Sequence, residues 1–163
     1  MTLIKIGKIV NTHGIKGELR LLSKFPYKDK VFINNMTIYI DKKDKEIINT
    51  YRKHKNFDMI TLKDYNNINE VLKYKGKNVY VNDSDIKLDN NKYLDEELIG
   101  LNVIYEDNNK GTIVDIERYD KTVLFNIKNN DKEYLIPYND NIIDKIDINN
   151  IKINIKDIKG LFD

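Results

Sequence analysis

The sequence contains no cysteine and only two histidines, His13 and His54. Without cysteine there can be no disulfide bond, no thiolate nucleophile and no cysteine-based zinc site. Two histidines are too few for a histidine-rich metal site. We therefore expect a protein without a metal ion or a cofactor.

Long apolar segments are also missing. No run approaches the roughly 18 consecutive apolar residues that indicate a membrane span. The N-terminus lacks the apolar stretch and the small-residue cleavage site of a signal peptide. We expect a soluble, cytoplasmic protein that contacts no membrane, and the lack of coiled-coil heptads favours a monomer.

Sequence motifs of enzymes are absent as well. There is no phosphate-binding glycine loop, no nucleophile elbow and no metal-ligand spacing. Carboxylates are plentiful, with 26 Asp and Glu among 163 residues, so incidental carboxylate pairs are expected and carry no catalytic meaning. The sequence predicts a binding protein and not an enzyme.

The small net charge of +2 conceals two halves of opposite sign. Residues 1–85 hold 17 Lys and Arg against 10 Asp and Glu, whereas residues 86–163 hold 11 against 16. Such asymmetry suggests different partners, with the basic half suited to nucleic acid. The alternative is that both halves simply carry solvated charged faces.

Short strand-like runs recur at hairpin spacing along the whole chain. In the first half they span residues 3–10, 19–22, 36–40, 46–53, 57–62 and 78–81, and in the second half residues 101–105, 111–117, 123–127, 133–136, 142–148 and 151–155. One helix is predicted at about 67–74, where Asn67 can cap and Glu70 can complete a capping box. We expect this helix to plug one end of a barrel.

A polar, acidic stretch separates the two sets of strands. It covers residues 84–92 and is typical of a linker, because it has few large apolar side chains and lies where the charge changes sign. The sequence therefore predicts a mainly β protein of two small domains, residues 1–83 and residues 93–163.

The first predicted hairpin, GKIVNTHGIKGELRLL, carries an unusual concentration of positive charge. Lys8, His13, Lys16 and Arg20 lie on or beside its tip at residues 14–17, and only Glu18 opposes them. Lys16 is suited to an RNA phosphate, whereas the two glycines are best explained by the tight turn. His13 could bond the turn backbone, stack on a base or bind a phosphate, and a lone histidine is more often structural.

Five segments of the chain form an ordered set of motifs: IGKIVNTHGIKGELRL, KYKGKNVYV, EELIGLNVI, EYLIPYNDNIIDKIDINNIKINI and the ending KGLFD. In this order they resemble the RimM family of ribosome maturation factors. The resemblance covers nearly the whole chain. It implies a six-stranded N-terminal barrel like those of translation factors, followed by a PRC-barrel domain.

The resemblance also implies a function. Family members bind the small (30S) ribosomal subunit, assist maturation of its head and support processing of 16S rRNA, and they are assembly factors and not enzymes. They also contact a ribosomal protein of the head, the small-subunit protein numbered nineteen. On this basis the four basic residues of the hairpin, Lys8, His13, Lys16 and Arg20, are expected to bind rRNA.

A second candidate site lies where the second domain begins, at Tyr93, Leu94, Asp95, Glu96 and Glu97. Many family members carry two adjacent tyrosines here that matter for subunit binding, and Leu94 replaces the second. An aromatic anchor beside carboxylates suits a basic ribosomal protein. The alternative is that Tyr93 packs across the domain boundary and the acidic trio caps a turn. The competing function is a PRC-barrel protein-interaction module without RNA binding.

Overall fold

The computed structural model describes all 163 residues, Met1 to Asp163. The chain divides into two compact units, Met1–Asn90 and Asn91–Asp163, and both consist mainly of strands. The boundary falls inside the stretch 84–92, so residues 84–90 belong to the first unit, and Ile86 among them is buried. No helix is long and apolar enough to cross a membrane.

The first unit is a closed six-stranded barrel. Its strands are β1 Leu3–His13, β2 Glu18–Leu22, β3 Thr37–Ile40, β4 Asp44–His54, β5 Phe57–Leu62 and β6 Asn78–Asn82, and they follow each other around the barrel in the order β1-β2-β5-β4-β3-β6. The six predicted strands are confirmed, with small shifts at their ends. β4 begins earlier than predicted because Asp41 and Lys42 adopt left-handed backbone angles and shorten the turn.

Alternation of buried and outward side chains along strands such as β2 and β3 gives the barrel its apolar interior. In β2, Leu19 and Leu21 are fully buried while Glu18 and Arg20 face outward. The same period of two places Ile38 and Ile40 of β3 inside the barrel. Apolar side chains from all six strands thereby share one interior.

The predicted helix is present and has two parts. α1 spans Ile68–Val71 and continues as a 3-10 turn over Leu72–Tyr74. As predicted, the Asn67 side chain accepts a hydrogen bond from the Glu70 backbone N–H, at 3.3 Å. Val71 and Tyr74 are buried.

One acidic side chain, Asp58, is completely buried in the first unit. Its carboxylate lies 2.8 Å from Lys28 Nζ and accepts a hydrogen bond from the Tyr51 hydroxyl at 2.6 Å. The Tyr51 ring stacks on Phe32. The polar connection between β2 and β3 is thus tied to the barrel through Asp58, because burying an unpaired carboxylate would be costly.

The second unit is a six-stranded sheet preceded by one short helix. α2 spans Asp95–Leu98, and the strands are β7 Asn102–Tyr105, β8 Asn108–Arg118, β9 Val123–Asn129, β10 Lys132–Pro137, β11 Ile143–Asp147 and β12 Lys152–Ile155. Their order in the sheet is β10-β9-β8-β7-β12-β11, with β12 parallel to β7 and every other pair antiparallel. The six predicted strands are confirmed here too.

The two outermost strands of this sheet share a core although no ladder of hydrogen bonds joins them. Ile136 of β10 and Ile146 of β11 pack in the same apolar cluster as Phe125, Val103 and Ile153. The C-terminal residues close one side of this cluster, because Phe162 lies 4.8 Å from Tyr105 between ring centroids.

Candidate functional site

The turn between β1 and β2 is held in place by the helix. Gly14 and Gly17 have φ angles of 68° and 91°, which non-glycine residues rarely adopt. The Ile68 backbone N–H donates to the Ile15 carbonyl at 2.9 Å, and a Cβ on Gly17 would lie 3.2 Å from the Asn67 carbonyl oxygen. The two glycines therefore serve the turn and its close approach to α1.

The outward face of β2, β5 and β4 carries two arginines in one row. Arg20 pairs with Met59, and Met59 pairs with Arg52 on the other side. Met59 is fully buried although it belongs to the outward-facing set of β5, which is expected where long arginine side chains lie across an apolar neighbour. We call this surface the arginine face and define it by Arg20, Arg52, His13, His54, Phe57 and Glu18.

Arg20 organises the centre of the arginine face. Its terminal nitrogen lies 2.8 Å from His13 Nδ1, and its guanidinium lies 4.9 Å from the centroid of the Phe57 ring. Because a guanidinium can only donate, Nδ1 of His13 must be the accepting nitrogen. The His13 ring is therefore oriented by the protein, with Nε2 as its remaining polar atom.

The second histidine adjoins the first. The rings of His13 and His54 lie 5.5 Å apart between centroids, so the two histidines of the chain meet at one place. The pKa of His54 is lowered, first by desolvation and then by the positive charges of Arg52, Lys55 and Arg20, with a further contribution from His13. Desolvation and the surrounding positive charge thus both disfavour the protonated form of His54.

Arg52 is fixed by a carboxylate from the neighbouring hairpin. Its Nε and terminal nitrogen donate to the two oxygens of Glu18 at 2.9 and 2.7 Å. The pKa of Glu18 is lowered, first by this hydrogen bond and also by the charges of Arg52, His13 and His54. The planar fork of Arg52 is thus held in one orientation across the sheet surface.

The structure brings three of the four predicted basic residues together and places the fourth elsewhere. His13 and Arg20 are in contact, and Lys16 lines the same shallow cavity of about 380 Å³ as His13 and Glu18. Lys8 is exposed on β1 opposite Leu22 and Asn78, five residues before His13. At about 3.3 Å per residue, Lys8 lies roughly 16 Å along the strand from His13.

Three residues of the arginine face were not predicted from the sequence, namely Arg52, His54 and Phe57. They lie in or beside the β4–β5 hairpin, whose register pairs His54 with Phe57 and Arg52 with Met59. One signal was available, because this hairpin holds the second of the two histidines and one of three arginines. The pairing of β5 with β2, which joins the two hairpins, was not readable from the sequence.

The predicted acidic segment forms the start of the second unit. Asp95 receives two hydrogen bonds from Arg118, at 3.1 and 2.5 Å, and Glu97 accepts one from the Leu94 backbone N–H at 2.9 Å. Leu94 is buried, Tyr93 packs against the apolar cluster of this unit, and Glu96 is exposed. The segment therefore presents the two glutamates beside a half-buried tyrosine.

No three His, Cys, Asp or Glu side chains are grouped so that they could hold a metal ion. The arginine face instead offers oriented guanidinium groups, an imidazole and an aromatic ring on a rigid sheet. Such a set suits binding of phosphates and bases.

Comparison with known proteins identifies the family. The sequence model of the RimM N-terminal domain matches residues 4–86, and that of the RimM PRC barrel domain matches residues 95–161. The chain belongs to the RimM family of ribosome maturation factors. The predicted resemblance and the predicted pair of domain types are thereby confirmed.

RimM relatives match over nearly the full length. The ribosome maturation factor RimM of Staphylococcus haemolyticus is 36% identical, over 98% of this chain and 99% of that protein. The RimM of Shouchella clausii is 33% identical, over 97% of this chain and 96% of that protein. The solved N-terminal domain of RimM from Thermus thermophilus is 18% identical, with a TM-score of 0.48, and covers 54% of this chain and 98% of that one.

Proposed function

We propose that this chain is an assembly factor that binds the small (30S) ribosomal subunit, assists maturation of its head and supports 16S rRNA processing. The single observation that carries the proposal is the arginine face, where Arg20 and Arg52 lie in one row and each is oriented by a fixed partner. Fixed planar guanidinium groups suit recognition of phosphate, and Arg52 would contribute through the N–H groups that Glu18 does not occupy.

In this proposal the basic unit binds rRNA. Arg20, His13 and Lys16 contact RNA at the β1–β2 turn, Arg52 widens the surface, and Lys8 contributes from a separate place on β1. The positive balance of residues 1–85 adds long-range attraction to RNA. Binding of this kind weakens steeply as salt rises, because it releases counterions.

The acidic unit addresses a basic ribosomal protein of the head, the small-subunit protein numbered nineteen. Tyr93, Glu96 and Glu97 form the contact, whereas Leu94 and Asp95 hold the segment through burial and through Arg118. Two moderate interfaces on one chain would together give a firm attachment through effective concentration.

Sedimentation with ribosomal particles tests this proposal. The purified chain is mixed with immature small subunits, mature small subunits and whole ribosomes at two salt concentrations. We expect salt-sensitive co-migration with free small subunits and none with whole ribosomes. Lys16→Glu should weaken this co-migration without lowering thermal stability, because Lys16 is exposed in the turn.

The absence of co-migration with any particle would contradict the proposal. It would favour the alternative of a PRC-barrel protein-interaction module without RNA binding. A chain whose affinity for the small subunit is unchanged by Lys16→Glu would remove the β1–β2 turn from the interface.

A further inference from the structure

A second surface of the barrel, away from the β1–β2 turn, combines aromatic rings with lysines. Strand register places four outward side chains in one row across four strands. Lys5 pairs with Tyr80, Tyr80 pairs with Tyr39, and Tyr39 pairs with Lys45. Two tyrosines thus stand side by side with a lysine at each end.

We propose that this row, which we call the tyrosine row, is a stacking platform for unpaired bases of single-stranded RNA. The proposal rests on the proposed function, since it adds a second RNA contact to the same unit. The RNA bound at this second contact is single-stranded.

The tyrosines are placed for stacking by the sheet itself. Residues directly opposite each other on neighbouring strands have Cβ atoms about 5 Å apart. Both rings are partly exposed on the outside of the closed barrel, since Tyr39 and Tyr80 alternate with the buried residues Ile38, Ile40, Val79 and Val81. An extended single strand can lay successive bases on adjacent rings of such a sheet.

Lysines surround the two rings. Lys5 and Lys45 close the row at its ends, and Lys42 from the β3–β4 turn lies with its Nζ 5.1 Å from the centroid of the Tyr80 ring. Lys8 occupies the next outward position of β1, opposite Asn78. This arrangement of aromatic faces with cations along the edges matches the needs of a nucleic acid strand, whose bases stack while its phosphates pair.

The acidic group that precedes Lys42 in the β3–β4 turn is already engaged by other partners. Asp41 lies beside Lys42 and is exposed, but its carboxylate accepts the Asn78 backbone N–H at 2.9 Å and lies 3.4 Å from Lys77 Nζ. These contacts lower the pKa of Asp41, the hydrogen bond from Asn78 most of all. Charge complementarity therefore favours a polyanion over a basic protein segment as the occupant of the row.

Lys8 lies next to the tyrosine row. From the sequence, Lys8 was expected to belong with the β1–β2 turn, whereas its strand partner Asn78 is two residues from Tyr80 in β6. An RNA strand that contacts Lys8 would therefore reach the tyrosine row before it reached the β1–β2 turn.

The test uses the full chain and two fluorescent RNA probes, a single-stranded decamer of mixed sequence and a blunt duplex of the same sequence. Binding is measured by anisotropy, with circular dichroism to verify folding. We expect the chain to prefer the single strand. The double variant Tyr39→Ala and Tyr80→Ala should bind the decamer about tenfold more weakly or worse.

Three further variants make the result specific. The double variant Tyr39→Phe and Tyr80→Phe keeps the rings and should retain binding. The pair Lys5→Glu and Lys45→Glu leaves the rings in place and should weaken binding and reduce its salt dependence. Tyr119→Ala, which removes an exposed tyrosine from the second unit, should leave binding unchanged.

Several outcomes would overturn the proposal that the tyrosine row binds RNA. They are a failure of the wild-type chain to bind the decamer, equal affinity for the duplex, loss of binding in the phenylalanine variant, or full binding in the alanine variant. If Lys16→Glu abolishes co-migration with small subunits while both tyrosine variants bind the decamer like the wild type, the proposed function stands and the row is refuted. If the tyrosines bind the decamer but the chain co-migrates with no ribosomal particle, the RNA-binding role of the tyrosine row stands and the proposed function is refuted.

Discussion

The two units each surround an apolar core with six strands, but the arrangement of the strands differs. The first closes its hydrogen-bond ladder completely, encloses the buried carboxylate of Asp58 and displays fixed arginines outside. The second leaves its ladder open, and none of its buried residues is charged. A charged group is therefore part of the interior of the first unit, whereas the charges of the second unit lie outside its core.

The largest expected effect concerns the apolar core of the second unit. Phe125 is fully buried and its ring centroid lies 4.4 Å from that of Tyr138. Phe125→Ala should lower the free energy of unfolding of this unit by about 4 kcal/mol, because it leaves a large cavity. Hydrogen exchange should show the loss in residues 91–163 and not in the barrel, with Tyr119→Ala as the neutral control. Equal loss of protection in both units would contradict their separate cores.

The next effect concerns the charged interior of the first unit. Asp58→Ala removes the partner of Lys28 and of the Tyr51 hydroxyl. We expect a loss of about 2 kcal/mol, less than for a fully buried ion pair, because Lys28 is partly exposed. Urea unfolding followed by hydrogen exchange should assign the loss to residues 1–90. Asp44→Ala, an exposed acidic residue of β4, is the matched control, and an equal effect of both variants would refute a special role for Asp58.

A smaller effect should appear at high pH. Burial, together with the hydrogen bond to Asp58, raises the pKa of Tyr51 to about 12 from an ordinary value of 10.0. A raised pKa means that the stabilisation is present below pH 10 and is lost as the pH rises toward 12. Thermal unfolding of the wild type and Tyr51→Phe over this range should converge. Parallel curves would show that Tyr51 does not titrate with folding.

The smallest effect concerns the outward ion pair of the first unit. Glu18→Gln keeps the shape of the side chain but removes the charge that holds Arg52. We expect a loss of about 0.5 kcal/mol, since Arg52 is half exposed. The same variant should let the Arg52 side chain reorient, which side-chain NMR of the guanidinium would reveal. An unchanged Arg52 signal would show that Glu18 does not orient it.

Much of the fold was predictable from local signals. Alternation in β2, the Asn67 cap and the glycines of the β1–β2 turn each specify local structure within a few residues. The short α2 was not predicted, because it spans only four residues. Its first turn is held by the Glu97 carboxylate, which accepts a hydrogen bond from the Leu94 backbone N–H.

The candidate site was only partly predictable. The hairpin of His13, Lys16 and Arg20 is contiguous in sequence, so its charge could be read directly. Arg52 and His54 reach it only because β5 pairs with both β2 and β4, and Tyr39 reaches Tyr80 only because β3 pairs with β6. Such contacts depend on closure of the barrel, which sets which strands become neighbours.

We propose that the basic unit binds rRNA through phosphates while the acidic segment does not. The salt dependence of the affinity of the full chain for the small subunit tests this, compared among wild type, Arg20→Ala and Glu96→Ala. We predict that Arg20→Ala reduces the slope of log K against log salt by about 1 and that Glu96→Ala leaves the slope unchanged. An unchanged slope in Arg20→Ala would show that Arg20 makes no phosphate contact.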